Sequence, residues 1–200
     1  MKKISFFYFE KIDSTQKYLL NNISGYSLPV CIWSECQTNG IGSRGNKWIG
    51  ECGNLFFSFA DFLENYKDVP LQSLSIYFGW IVKEVLNDFG SKVVLKWPND
   101  IYLERKIGGV ITNVKGDKII CGIGINTKFA PDGFDCLDIE IKNDKILKSF
   151  FEKLRVVKFS DVIDRYKKEF EKTKRKFGIE GTLLDDGAVL KKNEKVYSKR

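Results

Sequence analysis

The 200-residue chain contains no histidine. That absence excludes Ser-His-Asp and Cys-His catalysis, histidine-ligated zinc and imidazole proton shuttling together. Cysteine is sparse: Cys31, Cys36, Cys52, Cys121 and Cys136 are odd in number and form no C-x-x-C pair. Nothing in their spacing draws four thiolates to one metal, so reduced, mostly buried thiols of a cytosolic protein are expected. Long apolar runs are also missing. The stretch Ile4–Phe9 ends at Glu10 and Lys11, far short of the roughly 20 residues a membrane span needs. Lys2 and Lys3 mimic the start of a secretion signal, but no small-residue cleavage site follows. With 43% apolar and 30% charged residues, the composition fits neither disorder nor a fibrous repeat. The expectation is a soluble, cytoplasmic globular protein with no membrane partner.

The net charge of +7 is unevenly placed. Residues 1–143 carry 16 Lys/Arg against 16 Asp/Glu, whereas residues 144–200 carry 17 against 10. A nucleic-acid groove keeps its cations beside its aromatic platforms. Here Lys167, Lys168, Lys172, Lys174, Arg175 and Lys176 crowd onto one predicted helix, which reads as a solvated outer face.

Residues 4–10 read as a strand. A helix starts at Asp13, with Gln16 in a capping-box relation and Tyr18, Leu19 and Ile23 as its apolar stripe. Strands follow at Val30–Trp33 and Asn54–Ala60 on either side of a glycine-rich connection. Leu71–Phe89 keeps a helical period and closes on Gly90. Short strands are expected at Val93–Trp97, Ile101–Leu103, Gly109–Val114 and Ile119–Ile125, the last two joined by a tight turn at 115–118. Two helices are expected from Asp144 to Leu154 and from Ser160, as cap, to Phe177. Gly181–Arg200 forms at most a short hairpin about Asp186-Gly187. Hairpins with helices packed on them make an α+β fold with a mixed, mostly antiparallel sheet.

Three constellations stand out. Gly40-Ile41-Gly42-Ser43-Arg44-Gly45 matches G-x-G-x-x-G, but it leads through Trp48-Ile49-Gly50 into a strand rather than a helix, which rejects a dinucleotide fingerprint. Its glycines let backbone N–H groups approach an anion, with Arg44 and Lys47 adding charge and Trp48 able to cover a flat ligand. The second is Lys96-Trp97-Pro98-Asn99-Asp100 followed by Arg105-Lys106-Ile107-Gly108-Gly109. Pro98 breaks the strand, so Asn99 and Asp100 are expected in a turn, and Trp97 in the core. A lysine beside backbone stripped of side chains suits a carboxylate or phosphate laid on the sheet. In the third, Gly122-Ile123-Gly124-Ile125-Asn126, glycines inside a strand mark close approach of a ligand or neighbour.

With these motifs in order, joined by Ser14-Thr15 at the first helix, the sequence resembles the biotin protein ligases over about residues 5–180. The resemblance implies a biotin/lipoate ligase fold with a catalytic domain at 1–180 and a shortened C-terminal β segment at 181–200. It implies an ATP-dependent enzyme that makes biotinyl-5'-AMP and passes biotin to a lysine of a biotin carboxyl carrier domain. The implied catalytic residues are Lys106, Arg44 and Asp100, with Asp100 orienting or deprotonating the incoming lysine. For biotin they are Ser14, Thr15 and Gln37 at the ureido end, the loop residues Gly40, Gly42 and Ser43, Lys106 at the carboxylate, and Gly108, Gly109, Gly122 and Gly124 beside the rings. For ATP and adenylate they are Arg44, Lys47, Trp48, Asn99, Lys106 and Asn126. Mg²⁺ accompanies ATP, with no protein metal ligands implied.

The chain departs from the family where its loop usually reads G-R-G-R-R-G: Ile41 and Ser43 stand in place of arginines. A first strand that begins at once is expected to leave no room for the DNA-binding region of regulatory relatives, so no specific DNA partner is expected. Exposed sheet edges allow a homodimer such as the family forms. The rival reading within the fold is a lipoate or octanoate ligase or transferase, whose signature ends in a histidine this chain lacks. The rival from another class is a basic nucleic-acid-binding module, against which the neutral core argues.

Overall fold

The computed structural model describes residues 3–197. In chain order its elements are β1 (Ser5–Phe9), α1 (Thr15–Asn22), β2 (Val30–Ser34), β3 (Gly40–Ile41), β4 (Lys47–Trp48), β5 (Leu55–Phe62), α2 (Leu74–Asp88), β6 (Val94–Lys96), β7 (Asp100–Tyr102), β8 (Lys106–Lys115), β9 (Lys118–Ile125), α3 (Asn143–Leu154), α4 (Phe159–Thr173), β10 (Thr182–Leu183), β11 (Val189–Lys191) and β12 (Glu194–Val196). No helix among the described residues is long and apolar enough to cross a membrane.

Seven strands form the main sheet in the order β1-β2-β5-β9-β8-β7-β6. Only β1 and β2 run parallel; the other pairs are antiparallel. The α+β expectation, with a mixed and mostly antiparallel sheet, therefore holds. The central strand β5 (LFFSFADF) is buried on both faces until its last residue, which is why its sequence reads as an apolar run rather than an alternation. Phe57 and Phe59 point to the layer of α2, α3 and α4, where they meet Phe78, Phe150 and Phe151 edge-on or tilted. On the other face α1 packs Leu19 and Ile23 against Val30, Ile32, Ala60 and Ile120. The sheet thus has a thick helical layer on one side and a single short helix on the other. Much of the second face is left open for a ligand.

Several local expectations are corrected. The cap of α1 is Ser14, whose Oγ accepts from Lys17 N at 3.3 Å; Asp13 instead accepts from Thr38 Oγ1 at 2.7 Å and ties the helix to the glycine loop. Gln16 closes no capping box, because its amide turns into the protein. Helix α4 starts at Phe159 with Ser160 already in its first turn, and ends at Thr173; the chain then turns through Gly178, at φ +63°. The last segment forms a three-stranded sheet, β10-β11-β12, whose Leu183 and Val189 join the main core. The basic stretch is in part engaged rather than only solvated: Lys167 pairs with Asp185, and Lys174 Nζ donates to Gly181 O at 3.1 Å.

The expectation that all thiols are reduced is also corrected. Cys36 and Cys52 form a disulfide that closes the base of the glycine loop, a contact between segments 16 residues apart that no local pattern announces. Cys31 and Cys121 are free and buried, and burial pushes both thiols up, away from reactive thiolate. Cys136 is free and exposed.

Candidate active site

Strand register builds the floor of the site. Asp100 faces Gly109, Gly109 faces Gly124 and Gly124 faces Phe56, one row across β7, β8, β9 and β5. The next row along is Ile111, Gly122, Ser58 and Ile32. Neighbours in a row lie on the same face of the sheet, so the glycines of two separate motifs, Gly109 and the pair Gly122 and Gly124, fall together on the open face beside α1. They line a pocket of about 420 Å³.

Two of these glycines are required sterically. A Cβ on Gly124 would lie 2.8 Å from Trp48 Cε2, and one on Gly122 would lie 2.6 Å from Gln16 Oε1. Trp48 therefore lies flat against the bare backbone of β9. Its Nε1 is buried without a partner.

The blind end of the pocket is polar. Gln37 Oε1 accepts from Thr15 N at 2.7 Å and from Thr15 Oγ1 at 3.1 Å, and Thr15 Oγ1 contacts Ser58 Oγ at 2.9 Å. With its oxygen so engaged, Gln37 keeps its amide N–H₂, which lies against Gly40, as a donor. Ser14 lines the same end while capping α1, so the capping and ligand-facing readings of that hydroxyl are compatible. Gln16 adds a buried carbonyl with no partner, its Nε2 being held by Asn113 Oδ1 at 3.0 Å and Ile120 O at 3.3 Å.

The mouth is charged. Lys106 Nζ lies 2.6 Å from Asp100 Oδ1 and 5.5 Å from the centre of the Trp48 ring. Gly109 leaves the space beside this pair open. Beyond it lies a second, wider cleft of about 1140 Å³ that shares Ser43, Asn99, Asp100 and Lys106 with the pocket and adds Arg44, Lys96 and residues of β11 and β12. Arg44 enters it from the tip of the β3–β4 hairpin, where its φ is +58°, a conformation that costs a non-glycine residue about 1 kcal/mol. Among the described residues no three His, Cys, Asp or Glu side chains gather as a metal site.

The structure thus brings Ser14, Thr15, Gln37, Gly42, Ser43, Trp48, Asn99, Asp100, Lys106, Gly109, Gly122 and Gly124 to one pocket, and Arg44 to the adjoining cleft. Four expected residues lie outside both linings. Gly40 packs against Gln37 and Trp48, and Gly108 against Ile101 and the carbonyl of Gly124. Lys47 is exposed on β4. Asn126 is buried: its Nδ2 donates to Asp135 O at 3.2 Å, and its Oδ1 has no partner. Asp100 opens β7 instead of sitting in the turn, and Asn99 holds that turn through Val110 O at 2.7 Å. Trp97, expected in the core, packs against it half-buried, while also walling the cleft and donating to Gly187 O at 3.0 Å.

Ser58 carries no motif, Gln16 reads only as part of a helix cap, and Lys96 stands in a motif without a role of its own. Ser58 is the one hydroxyl in the run NLFFSFA, an oddity that could have marked it. Lys96 lies over the rings of Tyr102 and Phe177 at 4.9 and 5.6 Å.

This geometry has counterparts among known proteins. The E. coli (strain K12) protein "Bifunctional ligase/repressor BirA" is 38% identical over 123 residues, 58% of this chain and 38% of that protein. "Biotin--protein ligase 2" of Arabidopsis thaliana is 29% identical over 162 residues, 71% of this chain and 49% of that one. The chain spans less than half the length of these curated relatives. Among solved structures, the biotin acetyl coenzyme A carboxylase synthetase of Helicobacter pylori with bound biotinylated ATP aligns with a TM-score of 0.90 at 34% identity, covering 98% of this chain and 100% of that chain. The profile of the biotin/lipoate A/B protein ligase family matches residues 8–129, and the chain belongs to that family.

Proposed function

We propose that the protein is a biotin protein ligase, which activates biotin with MgATP and transfers it to a lysine of a biotin carboxyl carrier domain. The observation that carries this reading is the ordering of chemistry along one pocket. An amide-and-hydroxyl end lies deep, a glycine floor lies in the middle, and a lysine sits at the mouth before a cationic cleft.

Biotin fits that order. Its ureido carbonyl takes the N–H₂ of Gln37, and its ureido N–H groups face the lone pairs of Thr15, Ser58 and the unpartnered Gln16 Oε1. Its rings lie over Gly122, beside the Trp48 indole that rests on Gly124. Its carboxylate reaches Lys106. A carboxylate oxygen then attacks the α-phosphorus of ATP, the bond to the bridging oxygen breaks, and pyrophosphate leaves. Both reactants are anionic, so catalysis rests on holding them together. Lys106 offsets the charge at the carboxylate, and Arg44 with the hairpin N–H groups offsets it at the phosphates. Mg²⁺ would enter with the nucleotide and would offset charge on the leaving phosphates.

Trp48 covers the adenylate, and Asn126 Oδ1, buried without a partner outside both linings, is the acceptor an adenine amine would reach once the site opens. In the second step the carrier lysine attacks the acyl carbon and AMP leaves. Asp100 orients that amine or takes its proton, which requires that it first part from Lys106.

Intact-mass measurement of an apo carrier domain incubated with the protein, MgATP and either biotin or lipoate tests the reading. A biotin-sized increment that vanishes in Lys106→Ala is the expected result. A lipoate increment would move the substrate while keeping the chemistry, and no increment with either would overturn the proposal.

A further inference from the structure

Asn143 is the first residue of α3 and lies beyond residue 129, where the family match ends. It is 4% exposed, and both polar atoms of its side chain are used. Its Nδ2 donates to Glu35 Oε1 at 2.7 Å and to Gly53 O at 3.1 Å, and its Oδ1 accepts from Thr127 Oγ1 at 2.8 Å.

These partners come from two separate walls of the site. Glu35 and Gly53 are the two ends of the glycine loop: Gly53 N donates to Glu35 O at 2.7 Å, and the disulfide between Cys36 and Cys52 lies just inside them. That loop carries Trp48 and Arg44. Thr127 directly follows Asn126, at the end of the strand that carries Gly122 and Gly124. Asn54 makes a neighbouring clamp, accepting from Lys128 N at 2.9 Å and donating to Phe129 O at 2.8 Å, but it reaches neither Glu35 nor Thr127.

We propose that Asn143 is a positioning residue for the nucleotide half of the site, holding the base of the Trp48 loop against the segment that carries Asn126. This inference rests on the ligase reading. The physical reason is that removing a buried amide that pairs three groups on two segments leaves the Glu35 carboxylate without this donor and only the long Thr127 Oγ1 to Gly53 O contact, at 3.4 Å, joining the other two, so the segments shift. The blind end is built from Thr15 on α1, Ser58 on β5 and Gln37, which lies inside the glycine loop two residues from Glu35 but is held in place by Thr15 N and Oγ1. It shares no hydrogen bond with Asn143, so the effect falls on ATP and spares biotin.

The test measures KM for ATP and for biotin separately in biotin-dependent exchange of pyrophosphate into ATP, with the thermal midpoint of each protein alongside. Asn143→Ala is expected to raise the ATP KM about tenfold while the biotin KM stays within about twofold. Thr127→Val, which removes one arm of the clamp, is expected to raise the ATP KM about threefold and keeps the test open if the alanine variant does not fold. An unchanged ATP KM in the folded variants overturns the inference. So does a joint rise of both KM values with a lowered thermal midpoint, the pattern of a merely structural residue. Wild-type protein that performs no exchange overturns the ligase reading itself, a result separable from either variant's.

Discussion

Lys106 Nζ sits 2.6 Å from Asp100 Oδ1, so before any substrate arrives the central cation already holds a carboxylate. Both side chains are about one-quarter exposed, which keeps the pair modest in energy. An incoming biotin carboxylate must compete with Asp100 for the same ammonium. Removing the competitor should therefore help binding while removing the group assigned to the amine. Asp100→Asn is expected to bind biotin about threefold more tightly and to transfer it to the carrier about 100-fold more slowly. Calorimetric titration and single-turnover transfer from preformed adenylate check the two halves. Weaker biotin binding with transfer intact would refute the assignment.

The two sterically required glycines should separate the substrates. An added methyl at Gly124 strikes the Trp48 indole, whereas one at Gly122 strikes the Gln16 amide, which is held at its other end by Asn113 and Ile120. Gly124→Ala is expected to weaken ATP use, and Gly122→Ala to weaken biotin binding, each by about 1–3 kcal/mol. Separate affinities for the two ligands read this directly. The same loss for both ligands in both variants would mean the floor is not divided in this way.

Ile41 and Ser43 line the pocket where the family's loop usually carries arginines. Fewer cations at this hairpin leave fewer charge-assisted bonds to the adenylate phosphate. Ile41→Arg is therefore expected to slow release of labelled biotinyl adenylate by about tenfold. Equal release rates in wild type and variant would end the idea.

Asp61 lies at the far end of β5, 1% exposed, accepting from Phe62 N and Asn65 Nδ2 at 2.8 Å and from Tyr66 Oη at 3.1 Å. Burial holds its carboxyl above the ordinary 3.8 despite those bonds. The folded protein thus keeps this proton to higher pH than the unfolded chain does. Asp61 contributes most below pH 3.8, and the contribution is lost as pH rises through its folded-state value. Relative to Asp61→Asn, the wild type should lose thermal stability across that window. A difference in midpoint that is flat with pH, or that changes in the opposite sense, would contradict the assignment.

Much of this protein was legible before any fold was known, because the signals were local. The hairpin turn at 115–118, the period of Leu71–Phe89 and the three glycine-bearing motifs each arise within a few residues of backbone chemistry. Boundaries slipped where two neighbours could do one job: Asp13 and Ser14 both suit a cap, and only Asp13 finds Thr38 across space. Trp97 was read as core because an indole's size argues for burial, yet its Nε1 found Gly187 on a segment 90 residues away and left one face on the cleft.

The residue types able to hold an anion, the absence of imidazole chemistry and the α+β pattern follow from the amino-acid sequence alone, since they depend on composition and short-range periodicity. Which glycines share a face was decided by strand register, which sets Gly109 beside Gly124 and Ser58 beside Gly122. The same tertiary pairing joined Cys36 to Cys52, turned Gln16 inward and gave Asn143 its partners on two walls. Each of those contacts links segments distant along the chain, and their alignment is set by packing of the whole sheet rather than by any local preference.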